Sequence, residues 1–362
     1  MKGKKTIFLT GATGLLGSYL LKILLENGHK VYVLARKQKD KNAKQRVVDI
    51  LKFWDHEVLK NSDKLVILEG DITKQDLDLN KKTIKLLQDE IGEVFHCAAI
   101  TEFNRTLDSI RKTNVDGTRR ILNLASRCKG LKKVNHISTA YVCGDHKGVF
   151  KEDDLDVGQK FNITYEQTKF EAEKVVEEFR KKDLWIDIFR PAFVLGESNT
   201  GKTPLFQNLF QAIHLWSLEI FDSFPAKDVS FNIINIDTLS KSIFILNSHV
   251  RSKNMNYHPF GSQSISLEKI IDIASEFVGF KKPQLVNFDE LNKNKLTAAQ
   301  KRLLQNNIFS FNPYVALDST KTNRILQKYG FNFPVVTKKM ILNLLEYAID
   351  VNYIKHGKHS KK

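Results

Sequence analysis

A chain of 362 residues, 42% of them hydrophobic, is long enough for one large core or two, and 27% charged with 10% aromatic residues exclude an intrinsically disordered protein. The 57 Lys and Arg against 41 Asp and Glu leave a net charge of +16. These cations are scattered and no helix-turn-helix or zinc-finger pattern accompanies them, so nucleic acid is not the expected partner. It reads instead as steering of an anionic ligand, a phosphorylated cofactor or a phosphopantetheine-type carrier.

The opening apolar run, Ile7-Phe8-Leu9, is cut by Gly11 and Gly14 and predicts a first strand rather than a signal peptide. Further strands are predicted at Lys30–Leu34, Leu65–Leu68, Val94–Cys97, Val134–Ile137 and Trp185–Phe189, with helices between them. In the first helix Leu16, Leu20, Ile23 and Leu24 share one face, and Asn27-Gly28 stops it. Alternating strands and helices predict an α/β, doubly wound parallel-sheet Rossmann fold, with ligands at the carboxyl edge of the strands. After Gly196 the pattern loosens. A strand at Phe231–Ile236 and a helix at Thr238–Ser248 are expected to return to the sheet, and a last helix carries Ile341, Leu344, Leu345 and Ala348 on one face. The expected division is a nucleotide-binding domain over 1–196 and 226–262, a smaller, mostly helical substrate region over 197–225 and 263–354, and a polar tail over 355–362. An Asn/Lys-rich stretch, Asn292–Asn307, has no assigned role. No segment approaches the ~18–20 apolar residues that span a bilayer. Three sparse cysteines, Cys97, Cys128 and Cys143, lack metal-knuckle spacing and predict reduced thiols, no metal and a cytoplasmic location.

The turn after the first strand reads Thr10-Gly11-Ala12-Thr13-Gly14-Leu15-Leu16-Gly17. Gly11 permits a tight turn, Gly14 lets backbone approach a pyrophosphate, and Gly17 lets the helix pack close to the sheet. Free N–H groups and the helix dipole then attract phosphate, with Thr13, Leu15 and Leu16 beside it. At the end of the second strand, where an acidic residue would accept the ribose 2′-hydroxyl of NAD, stand Arg36 and Lys37. A guanidinium suits a 2′-phosphate, so NADP(H) is expected over NAD(H).

Tyr165-Glu166-Gln167-Thr168-Lys169 places a phenol and an ammonium on one helix face. A phenol of pKa ~10 becomes useful near neutrality when a nearby cation lowers it. Tyr165 can then protonate a substrate oxygen as hydride reaches the adjacent carbon. A hydroxyl is expected at the preceding strand end to orient that oxygen, Thr139 first and Ser138 as the alternative.

TGATGLLG, the strand-end Asp71-Ile72, His96-Cys97-Ala98-Ala99, Asn114-Val115-Asp116-Gly117-Thr118, STAYV, YEQTK and Arg190-Pro191-Ala192 occur here in one order. Together they resemble the extended short-chain dehydrogenase/reductase family over roughly residues 5–260. Arg36, Gly70-Asp71-Ile72-Thr73, Cys97–Phe103 and HISTAYVCG are similar to its thioester-reductase and fatty acyl-CoA-reductase branch, of the male sterility type. The resemblance implies a Thr139/Tyr165/Lys169 triad and a proton relay through water supported by Asn114. It places Asp71 and Ile72 by the adenine, and Ala98 and Ala99, flanked by Cys97 and Thr101, by the ribose and phosphates. Pro191, Ala192 and Val194 would line the nicotinamide side.

Plainer roles are expected elsewhere. His96 and His136 read as structural histidines, Cys143 as a packing residue, and Glu152-Asp153-Asp154 as a solvated loop. Phe206, Phe210, Trp216, Phe221 and Phe224 read first as core and second as an acyl pocket. The expected activity is NADPH-dependent reduction of a carbonyl or thioester, on a small-molecule or carrier-linked substrate, by a protein for which a homodimer is open. Two rivals stand beside it. A nucleotide-sugar epimerase or dehydratase with bound NAD is opposed by Arg36. A non-catalytic NADP(H)-sensing protein is opposed by the Tyr165/Lys169 pair.

Overall fold

The computed structural model describes residues 4–102, 105–207, 209–225, 227–287, 290, 296–298, 300–301 and 315–357. Seven parallel strands form the central sheet: β1 (Thr6–Thr10), β2 (Lys30–Ala35), β3 (Leu65–Glu69), β4 (Glu93–His96), β5 (Lys133–Ile137), β6 (Ile186–Phe189) and β7 (Asn256–Tyr257). Their order is β7-β6-β5-β4-β1-β2-β3. The chain reverses direction across the sheet between β1 and β4, and the carboxyl ends of this adjacent pair open the crevice that a doubly wound sheet offers to ligands.

The helices of the first half are α1 (Leu15–Glu26), α2 (Ala43–Trp54), α3 (Lys81–Glu90), α4 (Leu107–Asn114), α5 (Asp116–Ala125) and α6 (Thr164–Arg180). Alternation along β1 divides the core: Ile7 and Leu9 face Leu20 and Leu24 of α1, whereas Phe8 faces Leu122 of α5 and Val176 of α6. Both sheet faces are therefore covered, which explains why the strands are continuous apolar runs. Gly28, in the left-handed region at φ 76°, stops α1 as its sequence predicts.

The second half carries α7 (Leu209–Ser217), α8 (Ile236–His249), α9 (Leu267–Val278), α10 (Thr320–Gln327) and α11 (Lys338–Asp350). Helices α7, α9 and α11 bury Phe210, Trp216, Ile270 and Leu344 in a separate core. Ile341, Leu344, Leu345 and Ala348 form the buried face of α11, as expected.

The expected strand Phe231–Ile236 does not join the main sheet. Ser230–Phe231 pairs antiparallel with Ile265–Ser266, and Ile233–Asn235 pairs parallel with Phe193–Leu195. Asn232 divides the two pieces, its amide donating to the Gly261 carbonyl at 2.9 Å. The seventh sheet strand is instead Asn256–Tyr257. The acidic cluster also departs from its expected solvated loop. Glu152 is buried because its carboxylate accepts the Lys321 and Thr322 backbone N–H groups at 3.1 and 2.7 Å, capping α10. Only 296–298 and 300–301 of the Asn292–Asn307 stretch fall within the described residues, and Phe103 and the last five tail residues lie outside them. Among the described residues no helix is long and apolar enough to cross a membrane.

Candidate active site

The glycine loop makes a cradle. A Cβ on Gly11, at φ 75°, would meet the Ala98 nitrogen at 2.6 Å, and one on Gly17 would meet the Gly11 carbonyl at 2.2 Å. A Cβ on Gly14 would meet nothing nearer than 3.4 Å. Gly11 and Gly17 are thus spent on packing, while a side chain at Gly14 would make only ordinary contact. Gly14 is the N-cap of α1 and no side chain caps that helix, which leaves its first-turn N–H groups for an anion. From this cradle a cavity of about 610 Å³ runs across β1 and β4 toward the start of α6. Gly11, Thr13, Gly14, Leu15, Leu16 and Gly17 line it, as do Arg36, Ile72, Cys97, Ala98, Ala99 and Thr101, and further along Thr139, Tyr165, Lys169, Pro191, Ala192 and Val194. Lys37 and Asp71 do not; they border an adjoining hollow of about 350 Å³ that shares Arg36.

Arg36 lies 3.8 Å from Asp71 with its side chain 55% exposed. The sequence reading missed a second cation here. Arg46, on α2, donates to the Arg36 carbonyl at 2.7 Å and to the Thr13 hydroxyl at 3.0 Å, and it lines the cavity. Burial and the charge of Arg36 both push its pKa below the usual guanidinium value. Two cations held together beside the phosphate cradle could hold a further anionic group, whose charge would offset their repulsion. No local motif marks Arg46; it is one of several basic residues on an amphipathic helix.

At the opposite end, β5 delivers Ser138 and Thr139 to the carboxyl edge of the sheet and α6 presents Tyr165 and Lys169. Ser138 is committed elsewhere: its hydroxyl donates to Glu173, which forms a fully buried pair with Arg190 at 2.7 Å. Thr139 hydrogen-bonds the Tyr165 hydroxyl. Burial pushes the Tyr165 phenol up to about 12, against the lowering effect of Thr139. This reverses the expected direction, because the Lys169 ammonium is drawn away to the Ile137 carbonyl at 2.7 Å and approaches His136 at 3.5 Å. Burial lowers Lys169 to about 8, with Glu173 opposing.

The two histidines take the structural roles expected of them. The Thr118 hydroxyl donates to the Asn114 carbonyl at 2.6 Å, so His96 Nε2–H donates to Thr118 at 3.0 Å and Nδ1 accepts from Thr10 at 2.7 Å. Burial lowers His96 to about 3 and holds it neutral. His136 is buried 5.5 Å from it, ring to ring.

Asn114, for which the family resemblance implies support of a proton relay, is buried beside α6. It does not line the cavity. Its amide accepts from Ile100 N–H at 2.8 Å and donates to the Ile100 carbonyl at 3.1 Å and the Thr168 hydroxyl at 3.0 Å. Both amide hydrogens are used in tying the loop after β4 to α6, so the residue positions that loop. Cys143 is buried beside Phe150 and Phe170, its thiol pushed up to about 12 by burial, consistent with packing. Of the five aromatics, Phe210 alone lines the cavity, whereas Trp216 packs edge-on against Phe224 at 5.2 Å in the core. Tyr141 and Glu166 also line the substrate end, and the sequence reading singled out neither.

The family model of the NAD-binding male sterility protein matches residues 9–243. The chain belongs to this family. The resemblance read from its motifs is thereby borne out. A linear gramicidin synthase component of Brevibacillus parabrevis is 24% identical over 360 residues, 94% of this chain but 7% of that protein. Fatty acyl-CoA reductase 1 of Xenopus laevis is 32% identical over 224 residues, 52% of this chain and 43% of that protein. The chain thus spans less than half the length of either relative. Among solved structures, the terminal R domain of the myxalamid PKS-NRPS pathway superposes with a TM-score of 0.85 at 26% identity, covering 99% of this chain and 94% of that one. A UDP-glucuronic acid 4-epimerase of Bacillus cereus shares the fold, with a TM-score of 0.70 at 20% identity, covering 96% of this chain and 100% of that one.

Proposed function

We propose that this chain is an NADPH-dependent reductase of acyl thioesters, either CoA-linked or carrier-linked. The observation that carries the reading is one continuous cavity with two guanidinium groups at its ribose end and a hydrogen-bonded, protonated phenol at the other. The relatives point to the substrate class, being fatty acyl-CoA reductases and parts of peptide and polyketide synthases.

When bound, the reduced nicotinamide supplies hydride to the carbonyl carbon. The first-turn N–H groups of α1 would hold the pyrophosphate, and Arg36 with Arg46 would hold the 2′-phosphate. Lys169 would bind the nicotinamide ribose. Thr139 and Tyr165 hold the substrate oxygen, and Tyr165 protonates it. A phenol pushed up to about 12 stays protonated at neutral pH, which suits an acid in the reductive direction. With a thioester the product is a thiohemiacetal, which collapses to aldehyde and free thiol. The cavity walls at Ile163, Phe193, Leu205 and Phe210 leave the acyl group an apolar bed.

The experiment is a cofactor-oxidation screen in which NADPH and NADH are each offered acyl-CoA, acyl-pantetheine, ketone and UDP-sugar panels. Thioester-dependent NADPH oxidation with aldehyde or alcohol formed is the expected result. Turnover confined to UDP-sugars would move the assignment to the epimerase class.

A further inference from the structure

Five carboxylates are buried among the described residues: Glu93, Glu152, Glu166, Glu173 and Asp187. Four have an evident compensating charge. Glu93 pairs with Lys5, Glu173 with Arg190, and Asp187 with Lys133, while Glu152 caps a helix N-terminus. Glu166 has no cationic partner among the described residues. It accepts only the backbone N–H groups of Asn162, at 3.4 Å, and Ile163, and a second acid, Asp145, lies in its field. Burial pushes its carboxyl up to about 8. Such a group is costly to hold unless something completes its shell.

Glu166 is also the one of these five that lines the cavity. It follows Tyr165 on α6 and shares its electrostatic neighbourhood with the Tyr165 and Tyr141 hydroxyls. Tyr141 lines the same cavity from the turn after Thr139, its ring edge-on to Phe193 at 5.4 Å. The Tyr141 hydroxyl is buried and without a hydrogen-bond partner among the described residues. A carboxyl lacking a cation and a phenol lacking a partner thus stand together beside the residue assigned to protonate the substrate. Both needs are met by a cation with several N–H donors.

We propose that Glu166 and Tyr141 form a subsite for an ammonium group carried by the substrate close to its thioester carbonyl. The proposal rests on the reductase reading and narrows it: the favoured acyl group bears an amine rather than a plain hydrocarbon chain. An ammonium in this position restores the charged form of Glu166 by direct pairing, and its remaining hydrogens reach the Tyr141 oxygen.

The test is equilibrium binding to the NADP⁺ complex, in which no reduction occurs. The probes are two shape-matched pairs of pantetheine thioesters, alanyl against isobutyryl and β-alanyl against butyryl. At least one amine-bearing member is expected to bind fivefold or more tightly than its hydrocarbon match. Glu166→Gln should reduce that ratio to less than half its wild-type value, and Tyr141→Phe should lower it by a smaller factor. A wild-type ratio under fivefold for both pairs, or a ratio that Glu166→Gln leaves intact, overturns the subsite. Turnover with NADPH, measured in parallel, decides the reductase reading separately. A fivefold ratio without turnover discards the reductase and keeps the subsite; turnover with matched affinities does the reverse.

Discussion

Replacing Arg36 and Arg46 with alanine should convert a selective cofactor site into an indifferent one. A hydrogen bond to a charged group contributes roughly 1.5–3 kcal/mol. Arg36 sits at the low end or below, because its side chain is 55% exposed and solvent screens it, giving about 1 kcal/mol. Arg46 is half-buried and anchored on the Arg36 carbonyl and the Thr13 hydroxyl, so less freedom is lost on binding and about 2 kcal/mol is reasonable. At ~1.4 kcal/mol per tenfold, Arg36→Ala should weaken NADPH about 5-fold, Arg46→Ala about 30-fold, and the pair about 100-fold. NADH should change far less, with a few-fold loss in Arg46→Ala, since that side chain also steadies the glycine loop. Calorimetric titration of both cofactors into wild type and the three variants measures this. Equal losses for NADPH and NADH would refute the reasoning, because the cations would then serve the loop and not a 2′-phosphate.

Other perturbations separate packing from binding. Gly17→Ala should cost stability by at least the ~1–3 kcal/mol of ordinary overpacking, because its Cβ would meet the Gly11 carbonyl at 2.2 Å; Gly14→Ala should leave Tm nearly unchanged yet weaken both cofactors. Thermal melts with and without cofactor distinguish the two, and matched losses of Tm would contradict the cradle geometry. Glu166 has its folded pKa raised from 4.5 to about 8, so the stability its protonated form retains is complete below about 4.5 and is lost as pH rises through 8. Glu166→Gln should therefore gain on wild type by on the order of 2–4 kcal/mol between pH 5 and 9 in urea titrations, and a constant difference across that range would argue against it. Arg190→Leu leaves Glu173 buried without its cation and should cost about 3–5 kcal/mol by denaturant unfolding. A loss under about 1 kcal/mol would mean that Ser138 and water suffice to satisfy the carboxylate.

What the sequence made legible was local. Gly11, Gly14 and Gly17 declare a phosphate turn because their spacing is fixed by one strand–helix junction, and Tyr165 and Lys169 declare a shared face because four residues make about one helical turn. The core face of α11 was readable for the same reason, and that of α1 in part: Leu20 and Leu24 are buried, whereas Leu16 and Ile23 are half-buried and Leu21 and Leu25 complete the face. What escaped depended on distant partners. Arg46 matters only once α2 folds over the glycine loop. Thr139 and Ser138 could not be separated until Glu173, 35 residues beyond Ser138, was seen to occupy the serine. Glu152 looked solvated because the helix terminus it caps begins some 170 residues later. The two-residue β7 is too short for any periodicity to announce it, and the six-residue segment Phe231–Ile236, with four apolar residues, was the natural, mistaken choice. Glu166 stayed hidden because a lone acid on a charged helix is ordinarily solvated.

The central claim is that Tyr165, held by Thr139, protonates the oxygen of a thioester substrate. Its most direct test is steady-state NADPH oxidation on the substrate found by the screen, in wild type and Tyr165→Phe, with NADPH affinity measured beside it. The change removes one hydroxyl and little volume, so the fold and cofactor binding should persist. General acid catalysis is typically worth ~10²–10⁴-fold, and kcat should fall by that order with a smaller change in KM. Thr139→Ala should cost about 10- to 100-fold, since water can replace part of one hydrogen bond. Near-normal turnover by Tyr165→Phe, with NADPH binding intact, would contradict the assignment.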